Sequence, residues 1–357
     1  MISTYYVLGT MSGTSLDGLD LAFCRFTKAK SGWEYQVIAS DTIPYEDELQ
    51  KRLSEAVNLS AIDFVKLDVD LSHFMALSIR RFLSRQPIMP DFIASHGHTV
   101  FHQPTLKLTS QIGNGATIAA LTGFTTVCDF RTTDIALGGQ GAPLVPIGDE
   151  LLFGQYDACL NLGGIANISY RRNGKRVAFD ISPCNMALNY LANKRSLPFD
   201  SNGDLARKGK IDEGLLDKLN NFDFYRQKGA KSLGKEWFDG TFLPCLNQSK
   251  SPIETQLRTI TEHIAIQITA ALYNKEGEKM LVTGGGAYNL FLLERLKKHV
   301  NNEIIIPDSR TIDFKEAIIF GFLGVLRMSN EVNCLRDVTG ARINTCGGAV
   351  YLGTGIP

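Results

Sequence analysis

The chain has 357 residues, of which 44% are hydrophobic and 21% charged, a composition typical of folded globular proteins and not of disordered or fibrous ones. Because this length exceeds what one hydrophobic core usually serves, two domains are predicted. The 37 basic and 37 acidic side chains give a formal net charge of zero, which argues against a nucleic acid or a membrane surface as partner.

The cysteines and the first residues indicate a compartment. The seven cysteines are an odd number and form no C-x-x-C pair, so neither a disulfide framework nor a zinc knuckle is predicted. The N-terminus MISTYYVLGTMSG lacks the basic and apolar regions of a signal peptide, and no apolar run approaches the ~18 residues of a membrane-spanning helix. We expect a soluble, cytoplasmic protein.

The first half opens with three predicted strands, YYVLGTM, LDLAFCRF and YQVIASDTI, with a turn rich in Gly, Ser and Thr between the first two. From Glu46 to Gln86 apolar residues, Val57, Ile62, Val65 and Leu77 among them, recur at a period closer to 3.6 than to 2. This spacing predicts one or two helices. DFIASHG and TTVCDFR then read as buried strands on either side of a helix at residues 112–121.

The same order of elements returns in the second half. YDACLNLGG, ANISYRR and KRVAFDI predict three strands, with turns at residues 164–165 and 173–174. A helix at residues 253–273, a strand in KMLVTGGGA, a helix at 290–300, a strand in EIIIPD and a helix at 314–328 complete it. The two halves therefore share one α/β plan, and each opens with two strands joined by a glycine-containing turn.

These two turns could grip a polyphosphate, because backbone N–H groups in tight glycine turns act as fixed partial positive charges. In the first, GTMSGTSLDGLD, Asp17 or Asp20 could hold hydrated Mg²⁺ beside the phosphates. The second is LNLGGIANIS, a weaker pattern. A plain hairpin is the alternative interpretation of both. Neither matches a P-loop, and neither has the strand–turn–helix setting of a Rossmann fingerprint.

Two acidic residues are candidates for catalysis. Asp180 ends the third strand of the second half, where a carboxylate could orient and deprotonate the nucleophile of a phosphoryl transfer. An N-cap of a helix beginning near Pro183 is an equally good interpretation of this aspartate. Glu316 could be a second acid, or a first-turn glutamate that compensates the dipole of its helix.

Further polar segments are candidates for ligand binding. SHGHTVFH spaces three histidines like a metal site, but without another His or Cys cluster, hydrogen bonds to a polar substrate are favoured over zinc. Arg131 in CDFRTTD could bind the carboxylate of a sugar acid, or could pair with an aspartate to brace a hinge at Gly138–Gly141. The lysines of KSLGKEW could meet a nucleotide, or could lie on a solvated helix terminus. Gly284–Gly286 would let a purine and ribose approach the backbone closely.

Taken together and in order, these segments resemble the anhydro-N-acetylmuramic acid kinase family. The similarity runs through nearly the full chain, and MSGTSLDG combined with GGQGAPLVP is highly specific. The other matching segments are SHGHTVFH, CDFRTTDIALGGQGAPLVP, LNLGGIANIS, FDISPCN, KSLGKEW, VTGGGAYN and KEAIIFGFLGVLRMSN followed by VTGA.

The resemblance implies an α/β fold of two ribonuclease-H-like, actin-like ATPase domains with an interdomain active-site cleft. We place these domains at residues 1–131 with 345–357 and at 132–344. It also implies the reaction: ATP, water and 1,6-anhydro-N-acetylmuramic acid become ADP and N-acetylmuramic acid 6-phosphate, a step of cell-wall (murein) recycling. ATP and Mg²⁺ are the implied cofactors, and a homodimer is compatible with the resemblance.

The resemblance also implies roles for individual residues. The carboxylate of Asp180 would activate water for attack at the anomeric carbon, and Glu316 would assist at the same water. ATP would contact Gly13, Thr14, Ser15, Leu16, Asp17, Gly18, Leu19, Asp20, Gly163, Gly164, Gly284, Gly285 and Gly286. The sugar would contact His96, Gly97, His98, Thr99, Asp129 and Arg131. Asp17 and Asp20 would hold the metal.

This chain departs from the family pattern at two places. His98 stands where glutamine is frequent, and DISPCN replaces a DTGPGN-like segment, so Ser182 and Cys184 stand in place of glycines. Two other functions stay open at this point. One is another sugar or acid kinase of the same superfamily, and the other is a non-catalytic actin-like ATPase that uses closure to drive assembly.

Overall fold

The computed structural model describes residues 3–13, 15–227, 231–272 and 277–355. The chain forms two compact units, Met1–Phe153 with Phe314–Pro357 and Gly154–Asp313, which we call unit 1 and unit 2. Each unit contains one β-sheet and several helices. The predicted α/β fold with two domains is confirmed.

The strands of the described residues are numbered along the chain. They are β1 (Ser3–Ser12), β2 (Gly18–Ala29), β3 (Gly32–Pro44), β4 (Phe92–Gln103), β5 (Leu108–Ile112), β6 (Thr126–Cys128), β7 (Ala158–Leu162), β8 (Ile165–Arg172), β9 (Lys175–Pro183), β10 (Lys279–Thr283), β11 (Glu303–Ile305) and β12 (Ala349–Tyr351).

The α-helices are numbered in the same way. They are α1 (Asp47–Ser54), α2 (Ala61–Leu83), α3 (Gly115–Thr122), α4 (Thr132–Ala136), α5 (Val145–Leu151), α6 (Asn185–Asn193), α7 (Asp204–Lys208), α8 (Glu213–Asn220), α9 (Asp223–Arg226), α10 (Lys235–Trp237), α11 (Leu243–Asn247), α12 (Ile253–Ala271), α13 (Leu290–His299), α14 (Ser309–Met328) and α15 (Arg336–Thr339). Short 3₁₀ or π-helical segments cover Ala56–Asn58, Pro104–Leu106, Ser201–Gly203, Phe238–Phe242 and Gly285–Tyr288.

The two sheets have one topology. In unit 1 the order is β12-β6-β4-β1-β2-β3, with β5 paired to β4, and in unit 2 it is β11-β10-β7-β8-β9. In each, the first three strands of the unit form an antiparallel meander, and two later strands, β4 and β6 in unit 1 and β10 and β11 in unit 2, run parallel to the first. Unit 1 has two further strands, β5 and β12, which pair antiparallel with β4 and β6. The repeated plan predicted from the order of elements is confirmed, because both halves carry this same arrangement of directions.

Local sequence signals set several element ends. Ser60 and Asn289 each accept a hydrogen bond from the backbone N–H three residues on, which caps α2 and α13. The predicted turn at Asn173–Gly174 has positive φ at both residues (51° and 77°), as a two-residue β-hairpin requires. The helix predicted from residue 112 begins only at Gly115, because β5 extends to Ile112 and pairs with β4.

The helical period that predicts α2 includes residues that do not reach the core. Val57, Ile62, Val65 and Leu77 are 55–66% exposed. The side of α2 that is buried with strand residues such as Leu8 and Phe23 carries Leu67, Leu71, Met75 and Ile79. A period of 3.6 identifies a helix, but this helix has apolar residues on two faces, and only the packing decides which face is covered.

Helix α14 lies close against strand β1, and a glycine permits the approach. A Cβ on Gly9 would overlap the carbonyl oxygen of Ala317 and crowd the backbone nitrogen of Gly321, and a Cβ on Gly321 would lie 3.4 Å from the Gly9 Cα. This packing places the middle of α14 against the first strand of unit 1. It therefore also fixes the position of Glu316, which neighbours Ala317 in the helix.

The division into units differs from the boundaries placed at residues 131/132 and 344/345. The chain passes from unit 1 to unit 2 at 153/154 and returns at 313/314, so Gly138–Gly141 lies inside unit 1. The reason is that this segment is bonded to the C-terminal part of unit 1: the N–H of Gln140 donates to the carbonyl of Thr339 in α15 (2.8 Å). None of the helices in the described ranges has the length and hydropathy needed to cross a membrane.

Candidate functional site

The β1–β2 turn of unit 1 is short and is closed by its own polar groups. The N–H of Leu16, whose φ is 59°, donates to the carbonyl of Gly13 (3.3 Å), and the Ser15 hydroxyl donates to Asp17 Oδ1 (2.7 Å). Thr14 lies outside the described residues. The hairpin interpretation therefore describes the backbone correctly, but the hydroxyls and the acid are clustered at its tip.

The remaining residues of that predicted set belong to strand β2. Gly18, Leu19 and Asp20 pair with Pro44, Ile43 and Thr42 of β3. The Leu19 side chain is buried in the core of unit 1, and its backbone lies between β1 and β3, paired with Ser12 and Ile43. Asp20 Oδ1 accepts a hydrogen bond from the Thr42 hydroxyl (2.6 Å).

Ser12, at the end of β1, joins two buried rings. The Tyr45 hydroxyl donates to Ser12 Oγ (2.6 Å), and Ser12 Oγ lies 2.9 Å from Nδ1 of His98, its partner on β4. The Ser12 hydroxyl, with one proton and two lone pairs, thus links the Tyr45 hydroxyl to the His98 ring. Burial lowers the pKa of His98 and raises the pKa of Tyr45 to about 12, so both stay neutral at pH 7.

The sequence does not mark Tyr45 as a site residue, and it indicates no separate role for Ser12. Tyr45 follows β3, 33 residues after Ser12, and nothing in its local pattern marks it. Its hydroxyl reaches Ser12 only because β3 pairs with β2 and β2 with β1. The meander thus brings a residue from the end of the third strand to the end of the first.

His96 and Arg131 form a second buried group in unit 1. His96 Nδ1 lies 2.9 Å from the carbonyl oxygen of Gly97, to which it donates, and its Nε2 accepts from Arg131 Nε (3.2 Å) and Nη2 (2.9 Å). Burial, together with the Arg131 charge, holds the pKa of His96 well below its usual range. The imidazole therefore stays neutral and orients the guanidinium, whose own pKa burial lowers to about 10.

Glu316 stands near this guanidinium with an accessible side chain. The protein around it raises the pKa of Glu316 by desolvation, and the charges of Arg131 and Lys315 partly offset that effect. The alternative that Glu316 compensates a helix dipole from the first turn is wrong, because α14 begins seven residues earlier, at Ser309. An accessible carboxylate with a raised pKa is typical of a functional site.

The other predicted sugar ligands have hydrogen-bond partners of their own, and the predicted Asp–Arg pair is not among the bonds of Arg131. Asp129 is exposed, has φ of 55°, and accepts the N–H of Thr132 at Oδ1 (3.2 Å). Arg131 donates instead to His96 and to the Gly141 carbonyl, so the Asp–Arg brace does not describe its bonding. Thr99 accepts from Gln111 Nε2 (3.3 Å). Gly97 has φ of 73°, and a Cβ there would overlap the carbonyl of Ile112, so glycine is required.

The three histidines do not converge on a metal. His96, His98 and His102 bond to Gly97 and Arg131, to Ser12, and to Thr109, respectively. Within residues 3–13, 15–227, 231–272 and 277–355, no three His, Cys, Asp or Glu side chains gather as metal ligands. The carboxylates of Asp17 and Asp20 both lie close enough to Tyr45 for their negative charges to raise its pKa.

The glycine turn of unit 2 is bonded through its carbonyls. Gly164 accepts from the N–H groups of Cys184 (2.8 Å) and Met186 (3.1 Å), and Gly163 accepts from that of Asn185 (3.1 Å). These donors are the first amides of helix α6. Cys184, one of the two residues that stand where the resemblance implies glycine, thus has its amide bonded within unit 2.

Gly284 and Gly286 are brought against the same turn. A Cβ on Gly284 would clash with the Asn161 side chain and the Leu162 backbone, and one on Gly286 would clash with Leu162. Gly285 is exposed, and a Cβ there would meet only Asn185 Nδ2, at 3.5 Å. Packing thus explains two of the three glycines, and the structure brings both glycine segments of unit 2 together.

Asp180 is half-buried in β9 opposite Asn167 of β8, beside a register shift in the pairing of these strands. Its Oδ2 accepts from the Leu233 N–H (2.8 Å) and the Ser232 hydroxyl (3.0 Å), and its own N–H donates to the Lys231 carbonyl (2.9 Å). Burial raises the pKa of Asp180, and the two donors act against that rise. The N-cap interpretation is wrong, because Cys184 occupies the N-cap position of α6.

The KSLGKEW segment holds Asp180 by its backbone and Ser232, while its lysines bond elsewhere. Lys231 Nζ lies 4.5 Å from the Phe224 ring centre and donates to the Phe224 carbonyl (3.2 Å), and Lys235 pairs with Asp239. No local pattern predicts that Ser232 reaches an aspartate 52 residues earlier. The only indication of a role for Ser232 in the sequence is that it lies in KSLGKEW, one of the segments that carry the family resemblance.

A family model and individual relatives match this chain over nearly its whole length, and they carry the same family name. The family model for anhydro-N-acetylmuramic acid kinase matches residues 5–353. A protein of that name from Sulfurovum sp. (strain NBC37-1) is 35% identical over 360 residues, which cover 97% of this chain and 98% of the relative. One from Pseudomonas fluorescens (strain Pf0-1) is 35% identical over 372 residues, covering 96% and 98%.

A solved structure shows a weaker likeness. The component A of (R)-2-hydroxyglutaryl-CoA dehydratase from Acidaminococcus fermentans is 12% identical, with a TM-score of 0.43, over 88% of this chain and 95% of that one. A likeness at this level carries no weight for fold or function.

Proposed function

This chain belongs to the anhydro-N-acetylmuramic acid kinase family, and we propose which of its residues carry out that family's reaction. The predicted family and enzyme class are confirmed by the match over residues 5–353 and by the curated relatives. The substrates are ATP, water and the 1,6-anhydro sugar, and the products are ADP and the sugar 6-phosphate. Each residue role is inferred from the contacts of that residue within its own unit.

The carboxylate of Asp180 is the general base. The supporting observation is that two donors, the Ser232 hydroxyl and the Leu233 N–H, both engage Oδ2, which fixes the carboxylate while Oδ1 has no donor among the described residues. A water bonded to Oδ1 is then held in one direction. A carboxylate with a raised pKa is also a stronger base than an ordinary aspartate.

The reaction balances with this assignment. The water oxygen forms a bond to the anomeric carbon, its proton passes to Asp180, and the bond between that carbon and the bridging oxygen breaks. The bridging oxygen, now the 6-oxygen, bonds to the γ-phosphorus, and the bond from that phosphorus to the bridging oxygen of ADP breaks. In unit 1, Glu316 is the second acid, and Arg131 with His96–Thr99 and Asp129 binds the sugar.

The glycine turns bind ATP. In unit 1 the β1–β2 turn, which begins at Gly13, contacts the phosphates through backbone N–H groups and the hydroxyl of Ser15, since the backbone from Gly18 to Asp20 is paired within the sheet. In unit 2 Gly163–Gly164 form the phosphate-binding turn, and Gly284–Gly286 contact the adenosine. Exposed Gly285 supports the last assignment, because packing does not account for it.

Asp17 and Asp20 fit Mg²⁺ by the chemistry of their donor atoms. Mg²⁺ takes one or two carboxylates together with substrate phosphates and keeps several waters. Asp17 is exposed at the tip of the β1–β2 turn, where Ser15 orients its carboxylate, and both acids lie near Tyr45. When bound, the cation would neutralise charge on the phosphates.

The reaction is tested by incubating the protein with Mg-ATP and the anhydro sugar in water enriched in a heavy oxygen isotope. Mass spectrometry should find the label at the anomeric hydroxyl and the phosphate on the unlabelled 6-oxygen. Incubation with free N-acetylmuramic acid is the control, because a conventional sugar kinase would phosphorylate it directly. Label-free product from the anhydro sugar, or faster turnover of the free sugar, would contradict the proposal.

A further inference from the structure

A buried carboxylate lies at the centre of the segment that follows β6. Asp134, in helix α4, is 1% exposed. Its Oδ2 accepts the N–H of Gly141 (2.7 Å), and its Oδ1 accepts the hydroxyl of Thr339 (2.7 Å) and the thiol of Cys334 (3.1 Å). Such donors are what a buried carboxylate requires, because they replace the water that would otherwise solvate its charge.

Gly141 connects this carboxylate to Arg131. The Gly141 N–H is bonded to Asp134, and the Gly141 carbonyl accepts from Arg131 Nη1 (2.8 Å). Gly141 has φ of 65°, a left-handed conformation that favours glycine. The direction of the Gly141 carbonyl, and so the place where it holds Arg131, depends on the bond between its N–H and Asp134.

Arg131 has donors left for a ligand. A guanidinium carries five N–H groups, and the described bonds use three: Nε and one on Nη2 to His96, and one on Nη1 to Gly141. One N–H remains on each terminal nitrogen. Two donors on neighbouring nitrogens match the two oxygens of a carboxylate, such as the acid group of a muramic acid.

The carboxylate of Asp134 is also tied to the C-terminal part of unit 1. Beside the bonds from Thr339 and Cys334, the Arg342 N–H donates to the carbonyl of Leu137 (3.2 Å). Gly139 must lack a side chain here, because a Cβ would collide with the Asp134 carboxylate. Asp134 therefore joins the Arg131 segment to residues some 200 positions later in the sequence.

We propose that Asp134 is a positioning residue, held by Thr339, that directs the two remaining donors of Arg131 toward the carboxylate of the sugar. This inference rests on the sugar-binding role proposed for Arg131. If the Thr339 donor is lost, Oδ1 of Asp134 keeps only the weak thiol donor of Cys334, so the carboxylate and the Gly141 peptide that it holds are less fixed. Arg131 then distinguishes a charged acid group from a neutral one less well.

The test compares two substrates, the anhydro sugar acid and the same sugar with its carboxylate converted to a carboxamide. The measured quantity is the ratio of their kcat/KM values. Thr339→Val keeps the shape of the side chain and removes the donor, and we expect this ratio to fall by about tenfold, the effect of one hydrogen bond to a charged group. The KM for ATP should stay unchanged. Thr339→Ser keeps the hydroxyl and should keep the ratio.

Two further variants separate the possible failures. Asp134→Asn should lower the ratio as Thr339→Val does, and Arg131→Lys should lower it at least as much, because a single ammonium cannot bind a carboxylate through two donors. A Thr339→Val protein with an unchanged ratio, whatever its melting temperature, overturns the positioning role and leaves the kinase function intact. An unchanged ratio in Arg131→Lys overturns the sugar-binding role instead.

Discussion

The two units use one strand plan, and the difference between their meanders shows where chemistry enters. When β1 and β7 are aligned at their last residues, Asp20 of β2 and Asn167 of β8 occupy equivalent positions. Their partners are Thr42 in unit 1 and Asp180 in unit 2. Unit 1 thus has an acid on its second strand bonded to a hydroxyl on its third, while unit 2 has an amide on its second strand and an acid on its third.

A bulge accounts for the second arrangement. The pairing of β8 with β9 shifts between Ala166 and Asn167, so that Ile181 is an extra residue on β9, whereas β2 and β3 pair regularly at this point. A bulge bends a strand and redirects side chains. Asp180 is therefore bonded by Ser232 and Leu233 from outside the sheet, while Thr42 is bonded to its neighbour within the sheet. The same topology yields a candidate base in one unit only.

Of the variants that test this comparison, Asp180→Asn should reduce turnover most. The amide cannot take a proton from water, so kcat should fall by about 10²- to 10⁴-fold, and the affinity for ATP should be retained. Thr42→Val, at the corresponding position of unit 1, should lower kcat much less. Steady-state kinetics and nucleotide titration measure both.

Asp157→Asn is the matched control. Asp157 precedes β7 at the other end of the same sheet, and its Oδ2 also accepts one backbone N–H, from Lys279 (2.8 Å). We expect kcat in this variant to stay close to that of the unmodified protein. Near-normal turnover in Asp180→Asn would rule out its role as base.

A smaller effect is expected on stability, from Gly9→Ala. Gly9 of β1 corresponds by register to Cys159 of β7, so only the first strand of unit 1 needs a glycine here. A methyl group would be forced against the Ala317 carbonyl, and overpacking of this kind costs about 1–3 kcal/mol. Thermal unfolding should show a lower melting temperature.

Gly214→Ala serves as its control, since a Cβ at this exposed helical position meets only Asp212 Oδ1, at 3.6 Å. Alanine there should leave the melting temperature unchanged or raise it. If both variants melt alike, close packing between β1 and α14 does not require Gly9.

The smallest effect concerns pH. Asp180 must be ionised to act as base, and burial raises its pKa, so kcat/KM should decline as the pH falls through a value above the ordinary aspartate range. Ser232 donates to the ionised form and lowers the pKa. Ser232→Ala should therefore move the acid limb of the profile to higher pH.

Ser15→Ala is the counterpart in unit 1, where the lost hydroxyl bonds to Asp17. It should leave the acid limb in place. A limb that shifts equally in both variants, or in neither, would show that Asp180 does not control it.

Patterns read along the chain are enough to predict the class of fold, its duplication and the family. Hydrophobic periods, turn residues such as Asn173–Gly174 and caps such as Ser60 are local signals, because the backbone conformations they favour depend on a few neighbouring residues. Motifs such as MSGTSLDG and GGQGAPLVP identified the kinase family for the same reason: they are read along the chain. The polar candidates Asp180, Arg131, His96 and Glu316 were also found in this way.

The contacts that those candidate residues make depend on the folded chain. Tyr45 reaches Ser12 across two strand pairings, Ser232 reaches Asp180 from another segment, and Thr339 holds Asp134 from the end of the chain. Local sequence patterns also do not predict which face of α2 is exposed or that a bulge lies beside Asp180. Hydrogen bonds and close packing act over a few ångströms in space, so partners separated by tens or hundreds of residues carry no mark of one another until the chain has folded.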